Sequence, residues 1–192
     1  MYSILYRAQP PARKYEEYAY VLDFNSRGKS SNVRGRDGII ITAIGEDRLT
    51  LLEVLGVPNS TFEIGEKIYI GKEGRTKVLS VLGKMEYDKI SSSAQSELDL
   101  VVETIVTANE QKFVAYLNNA QPLTPRIHAL ELIPGIGKTY MKIMLEEREK
   151  QKFESYQDLQ DRVGFKEPIK NISERILDEI TGESRMNLFV KR

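Results

Sequence analysis

The run Leu132-Ile133-Pro134-Gly135-Ile136-Gly137-Lys138 constrains this chain more than any other stretch. Apolar Ala129, Leu132 and Ile133 recur at helical spacing, and Pro134 with the two glycines stops that helix. A second apolar-periodic run through Tyr140, Ile143 and Met144 opens at once. Gly135 and Gly137 permit positive φ and a close approach of backbone to a ligand. Ile136 between them is placed to turn inward and pin the turn. Beyond the turn lies a helix N-terminus, whose first amides lack intrahelical partners and which carries a partial positive charge. Such an end receives an anion, and phosphate is the commonest one. Lys138 and Lys142, one helical turn apart, add charge beside it, with Thr139 between them.

The residues Leu132, Pro134, Gly135, Ile136, Gly137 and Ile143 carry a resemblance to the helix-hairpin-helix family of DNA-binding modules. It implies two short helices joined by a hairpin whose amides hold a backbone phosphate, so that binding is largely blind to base sequence. The family usually has a small Ala where this chain has Met141, which implies a slightly splayed hairpin or a different packing. A second stretch, from Phe153 to Phe165, resembles a second copy of the motif. Ser155 is expected to cap its helix, Leu159 and Val163 to face the core, and Gly164 to end it. This copy has decayed: Lys166 stands where the second hairpin glycine would be, and Pro168 comes soon after. Its expected role is structural, with Ile169, Ile172, Ile176, Leu177 and Ile180 as the buried face of the last helix. The resemblance spans residues 125–182, Thr124-Pro125 capping the first helix.

Composition narrows the function. Basic and acidic residues balance at 28 each among 192, so any nucleic-acid contact must rest on local patches. There are no cysteines and one histidine, His128. Disulfides, iron–sulfur clusters and most zinc sites are thereby excluded, and no cofactor is expected. No apolar run approaches a membrane span, and the first nine residues are too short and mixed for a secretory signal. A reducing cytoplasm is the expected location.

The first half reads as β structure. Residues 1–8 have strand character and end at Pro10-Pro11. Strands are expected at 18–24, 38–45, 48–54, 67–70 and 77–82, with Tyr18, Tyr20, Leu22 and Phe24 sharing one face of the first. A loop runs over 25–38, and a basic hairpin over 71–77. Strands separated by glycine turns with no intervening helix point to a small barrel or sandwich. Their order and the phrase Ile64-Gly65-Glu66-Lys67-Ile68-Tyr69-Ile70-Gly71-Lys72 resemble an oligonucleotide/oligosaccharide-binding (OB) barrel. OB barrels commonly place a helix between the third and fourth strands, and residues 56–65 are too few for one. The closing helix is instead expected after the fifth strand, from a Ser91-Ser92-Ser93 cap through the stripe Leu98, Val101, Val102 and Ile105. Asn109 is expected to break it and cap a shorter helix to Leu117.

The expected fold is therefore α+β in two domains. An OB-like barrel over 1–90 leads through a helical connector over 91–121 to a tandem helix-hairpin-helix domain over 122–184, with a tail at 185–192. A barrel followed by such a helical pair also resembles an uncharacterised archaeal family assigned nucleic-acid binding mainly from its folds.

Charge marks the candidate contacts. Gly135, Ile136, Gly137, Lys138, Thr139 and Lys142 form the phosphate site. Arg27, Lys29, Arg34 and Arg36 sit among small residues without intervening acids and suit a loop that wraps a phosphate backbone. Lys72 and Arg75 extend that surface, diluted by Glu73. Tyr18, Tyr20, Phe24 and Tyr69 have the spacing of stacking platforms, but same-face aromatics more often fill a core, which is their expected place. His128, without partner ligands, is a surface or packing residue. The acids Glu146, Glu147, Glu149, Asp158 and Asp161 read as solvated faces. The tail is expected to dock on the barrel as a strand, the other reading being a partner-binding peptide.

The function expected is non-enzymatic, sequence-independent nucleic-acid binding through phosphate contacts. The alternative is a protein-interaction module in a nucleic-acid-processing complex. Lyases of the helix-hairpin-helix family place a catalytic Lys two residues after the second hairpin glycine, and here that residue is Thr139. No catalytic residue, metal or membrane partner is assigned.

Overall fold

The computed structural model describes residues 15–25 and 37–192. The expected strand at 1–8 and the basic cluster Arg27, Lys29, Arg34 and Arg36 lie outside the described residues. Five strands form one antiparallel sheet: β1 (Tyr18–Asn25), β2 (Ile39–Gly45), β3 (Leu51–Gly56), β4 (Lys67–Tyr69) and β5 (Val78–Lys84). Their order across it is β4-β1-β2-β3-β5.

Both faces of the sheet are buried, which is why its strands read as nearly continuous apolar runs. Ala19, Val21, Ile41, Ala43 and Val54 point to one side, where Ile68 of β4 and Val78 of β5 join the same cluster. Residues from the two outermost strands meet there because the sheet curls into a half-barrel. Tyr20, Leu22, Ile44 and Leu51 point to the other side and pack with the helices. A bulge after Val21 inserts one extra residue into β1, so that Phe24 pairs with Ile41. Phe24 is thereby turned to the opposite face from Tyr20 and Leu22, with its ring 6.4 Å from that of Phe62. The single aromatic face expected for Tyr18, Tyr20, Leu22 and Phe24 is therefore split.

Every pairing is antiparallel. Strand β4 opposes β1, and β5 opposes β3, so β4 and β5 run in the same direction at opposite edges. Residues 70–77 are consequently a crossover along the open seam between those edges, not the expected hairpin. Arg75 ties the seam: its guanidinium donates to the carbonyl oxygens of Gly71, Ile70 and Leu79.

The helices come after the sheet: α1 (Ser92–Ala108), α2 (Glu110–Asn119), α3 (Lys138–Lys150), α4 (Tyr156–Val163) and α5 (Pro168–Thr181). Ser91 caps α1, its hydroxyl accepting from the Ala94 amide at 3.0 Å. Ala94, Leu98, Val101, Val102, Ile105 and Val106 form its buried stripe. Asn109 separates α1 from α2 as expected: its side-chain amide donates to the Ile105 carbonyl at 2.9 Å, and it is the N-cap residue of α2 through its backbone carbonyl, with no side-chain cap bond. One apolar cluster runs from Tyr20 and Ile44 through α1 and α2 to Met144, Leu159, Ile172 and Ile176. It crosses the expected boundary near residue 121 without a break.

Two segments differ from expectation. Residues 122–128 form a short strand pair, β6 (Pro122–Thr124) and β7 (Ile127–His128), which leads into a 3-10 turn over Ala129–Leu132. Thr124 accepts from the amides of Arg126 and Ile127 and so closes a β-turn where a helix cap was expected. The tail docks, but not as a strand. The amides of Leu188, Phe189 and Val190 donate to the carboxylate of Glu179 at 2.7, 3.0 and 2.8 Å. Phe189 lies against Phe113 and Tyr116, and the Lys191 amide donates to the Arg48 carbonyl at 2.9 Å.

Candidate functional site

The turn between the 3-10 segment and α3 is built from inside outward. Leu130, Ile133 and Ile136 are buried in the shared core, so the backbone of Pro134, Gly135 and Gly137 is held at its outer rim. His128 starts the 3-10 turn as a capping box: its Nδ1 accepts from the Leu130 amide at 3.1 Å, and its own amide donates to Glu131 at 2.6 Å. Burial, and then the nearby Arg148 cation, hold its pKa below the ordinary value of 6.5. The expected first hairpin α-helix is thus a single 3-10 turn.

The two glycines do different work. Gly135 sits at φ +79°, a left-handed conformation, and a Cβ there would fall 2.5 Å from Nδ2 of Asn171. Gly137 has φ −79° and ψ −179°, an extended conformation open to any residue, and no heavy atom lies within 4 Å of where its Cβ would be. The fold requires a glycine at 135 and not at 137.

Gly137 is the N-cap of α3, and no side chain caps that end. Its carbonyl accepts from the Met141 amide at 2.9 Å. The amides of Lys138, Thr139 and Tyr140 precede the first intrahelical bond and have no hydrogen-bond partner among the described residues. Gly137, Lys138, Thr139, Tyr140 and Lys142 are all exposed, and neither the sheet nor the tail covers them. Met141 is half-buried against the core. Of the candidate residues, Gly135, Gly137, Lys138, Thr139 and Lys142 are thus gathered at one open corner, with Ile136 buried beneath them.

The turn between α4 and α5 also has a positive-φ glycine, but it leaves fewer amides open. Ser155 caps α4, accepting from the Asp158 amide at 3.0 Å, and Gly164 ends it at φ +79° with Phe165 buried beyond. The next helix begins at Pro168, which has no N–H, behind a Glu167 carboxylate. Fewer amides and a negative charge suit that end poorly to an anion.

Elsewhere the charged candidates are engaged. Arg75 is held by the three seam carbonyls, and Lys72 lies 4.8 Å above the ring of Tyr15. Glu147 pairs with Lys150 at 2.5 Å and with Arg162 at 3.5 Å, and Asp158 pairs with the same Arg162 at 3.1 Å. On α5, Arg175 and Glu179 are buried and paired at 2.9 Å. Ile169, Leu177 and Ile180, expected in that buried face, are only partly buried. No sequence pattern marks Arg175 and Glu179 as buried; the pair emerges only from the packing of α5. Arg175 also donates to the Leu132 carbonyl at 3.2 Å and to that of Met186, joining the turn to the tail.

Residues 15–191 match a family described as a protein of unknown function, DUF655. The chain belongs to the DUF655 family. A relative of 39% identity over 181 residues is the uncharacterized protein MJ0038 of Methanocaldococcus jannaschii, matched over 93% of this chain and 82% of its own. The crystal structure of Af1531 from Archaeoglobus fulgidus, also assigned to DUF655, superposes with a TM-score of 0.78 at 37% identity. That match covers 92% of this chain and all of Af1531. Among the described residues no helix is long and apolar enough to cross a membrane.

Proposed function

We propose that this DUF655 chain is a non-enzymatic nucleic-acid-binding protein that grips the phosphate backbone at the Gly137–Lys138 corner. The reading takes residues 122–184 as a tandem helix-hairpin-helix unit with a degenerate second copy, and the half-barrel as OB-like. The observation that carries it is the exposed set of unpartnered amides at Lys138, Thr139 and Tyr140, behind a glycine the fold does not need. A phosphate oxygen seated there accepts charge-assisted hydrogen bonds and meets the positive end of the α3 dipole. Lys138 and Lys142 add charge, and Arg27, Lys29, Arg34 and Arg36 extend the contact. Because amides and lysines see phosphate and not base edges, recognition is of backbone shape. Thr139 in place of a catalytic lysine supports binding without strand scission.

The test is a mobility shift with mixed-sequence duplex and single-stranded oligonucleotides across a salt series. Lys138→Ala should weaken binding equally for all sequences and lower the magnitude of the salt slope by about one unit. If no oligonucleotide shifts at low salt while a protein partner is captured, the interaction-module reading replaces this one.

A further inference from the structure

The open seam of the half-barrel encloses a cavity of about 530 Å³ that the hairpin reading does not use. Its size is within the range of small-molecule pockets, about 300–1,000 Å³. Leu52, Ile70 and Val81 supply apolar wall, and the rings of Tyr15 and Tyr69 stand at its side. Gly71 makes room for one of them, since a Cβ there would collide with the Tyr69 hydroxyl.

The charge around the cavity is uneven. Arg48, Lys72, Arg75 and Lys84 face Glu16 and Glu17. Glu16 is already occupied, accepting from the amides of Asp47 and Arg48 at 2.8 and 2.7 Å. Arg75 is likewise spent on carbonyls. Lys72 and Lys84 remain at the mouth as cations without a carboxylate partner among the described residues. Lys72 stands over Tyr15, which is 61% exposed, so an aromatic face and a cation share one lip. Along the seam the carbonyls of Ile70, Gly71 and Leu79 are taken by Arg75 and the amides of Ile70 and Gly71 by the Glu17 carbonyl, so the lip's open chemistry is the tyrosine ring and the two lysines.

From this combination we infer that the seam cavity binds a nucleotide unit, with the base between the tyrosines and the apolar wall and its phosphate at Lys72 and Lys84. A base has a π-face that stacks on tyrosine, and its phosphate meets the lysines. A hydrocarbon ligand would make no use of Lys72 and Lys84. The unit is either a free mononucleotide or one residue of a single strand. This site is independent of the hairpin and lies on a different part of the fold.

The experiment is a titration of the full chain, followed by tyrosine fluorescence and by saturation-transfer NMR, with AMP, adenosine, inorganic phosphate, a saturated fatty acid and a short oligoadenylate. AMP or the oligoadenylate should saturate the protein, with adenosine and phosphate each at least fivefold weaker. Saturation by AMP identifies a free nucleotide as sufficient; saturation by the oligomer alone identifies a strand. Tyr15→Ala, and Lys72→Ala combined with Lys84→Ala, alter exposed side chains and should each weaken binding at least fivefold. Gly137→Val should leave AMP binding unchanged even where duplex binding is lost, which separates this site from the hairpin. The inference is overturned by no saturation with either nucleotide probe, by equal binding of phosphate alone, by preference for the fatty acid, or by indifference to those substitutions.

Discussion

Substituting the two glycines of the turn separately distinguishes a structural role from a ligand-binding one. In Gly137→Val the new side chain enters open space on a backbone of ordinary φ and ψ. Stability should therefore fall by only about 1 kcal/mol, the order of the N-cap preference for glycine over valine. The β-branched side chain stands beside the amides of Lys138 and Thr139 and keeps a phosphate from reaching them. Loss of one charge-assisted hydrogen bond, about 1.5–3 kcal/mol, corresponds to roughly 10- to 150-fold in affinity. Gly135→Ala has the opposite signature. A left-handed conformation at φ +79° costs an L-residue about 1–2 kcal/mol, and Asn171 must also move aside. For a chain of this size that lowers Tm by about 2–8 °C. Thermal melting and fluorescence anisotropy with a labelled duplex at fixed salt read both quantities. A folded Gly137→Val protein that binds duplex as tightly as the unaltered chain would refute the reasoning. Unfolding of that variant would refute it equally, since the glycine would then be structural.

Three further outcomes rest on the buried ion pair, the seam and the 3-10 cap. Glu179→Gln leaves Arg175 buried without its counter-ion, and breaking a buried pair costs about 3–5 kcal/mol; Tm should fall by about 6–20 °C, and amide exchange at Leu188, Phe189 and Val190 should accelerate. Arg75→Ala should lower stability by about 1–3 kcal/mol through its lost carbonyl contacts, with duplex binding unchanged in an anisotropy titration. His128 has a folded pKa below its unfolded one, so the unfolded chain takes up the proton first. Its contribution is present above the ordinary pKa of 6.5 and is lost as pH falls below it. His128→Asn keeps an acceptor for the Leu130 amide without a titrating ring, so its Tm should fall less than that of the unaltered chain between pH 7.5 and 5, by scanning calorimetry.

Much of the architecture is legible wherever the signal is local. Ser91 and Ser155 cap helices because a hydroxyl satisfies a nearby amide, and Gly164 ends one because it tolerates positive φ. The strands appear close to where apolar runs and glycine turns place them. What local pattern does not carry is adjacency. Nothing in residues 67–84 says that β4 joins β1 while β5 joins β3, so two strands eight residues apart read as a hairpin. A single inserted residue in β1 turns Phe24 to the other face, and no composition signal marks it. The turn before α3 was legible because a proline and two glycines interrupt a helix. The separate duties of Gly135 and Gly137 emerge only from coordinates, since one meets Asn171 from a helix 36 positions on (171 − 135) and the other meets nothing.

The apolar cluster that passes unbroken from sheet to α5 has a mechanical consequence. The Gly137 corner and the half-barrel seam cannot drift apart like beads on a string; they are fixed points on one rigid frame, further strapped by Phe189 and Glu179. A flexible partner touching both must bend to their spacing. Any selectivity would then arise as a gauge selects: by rejecting whatever is too straight or too stiff to fit.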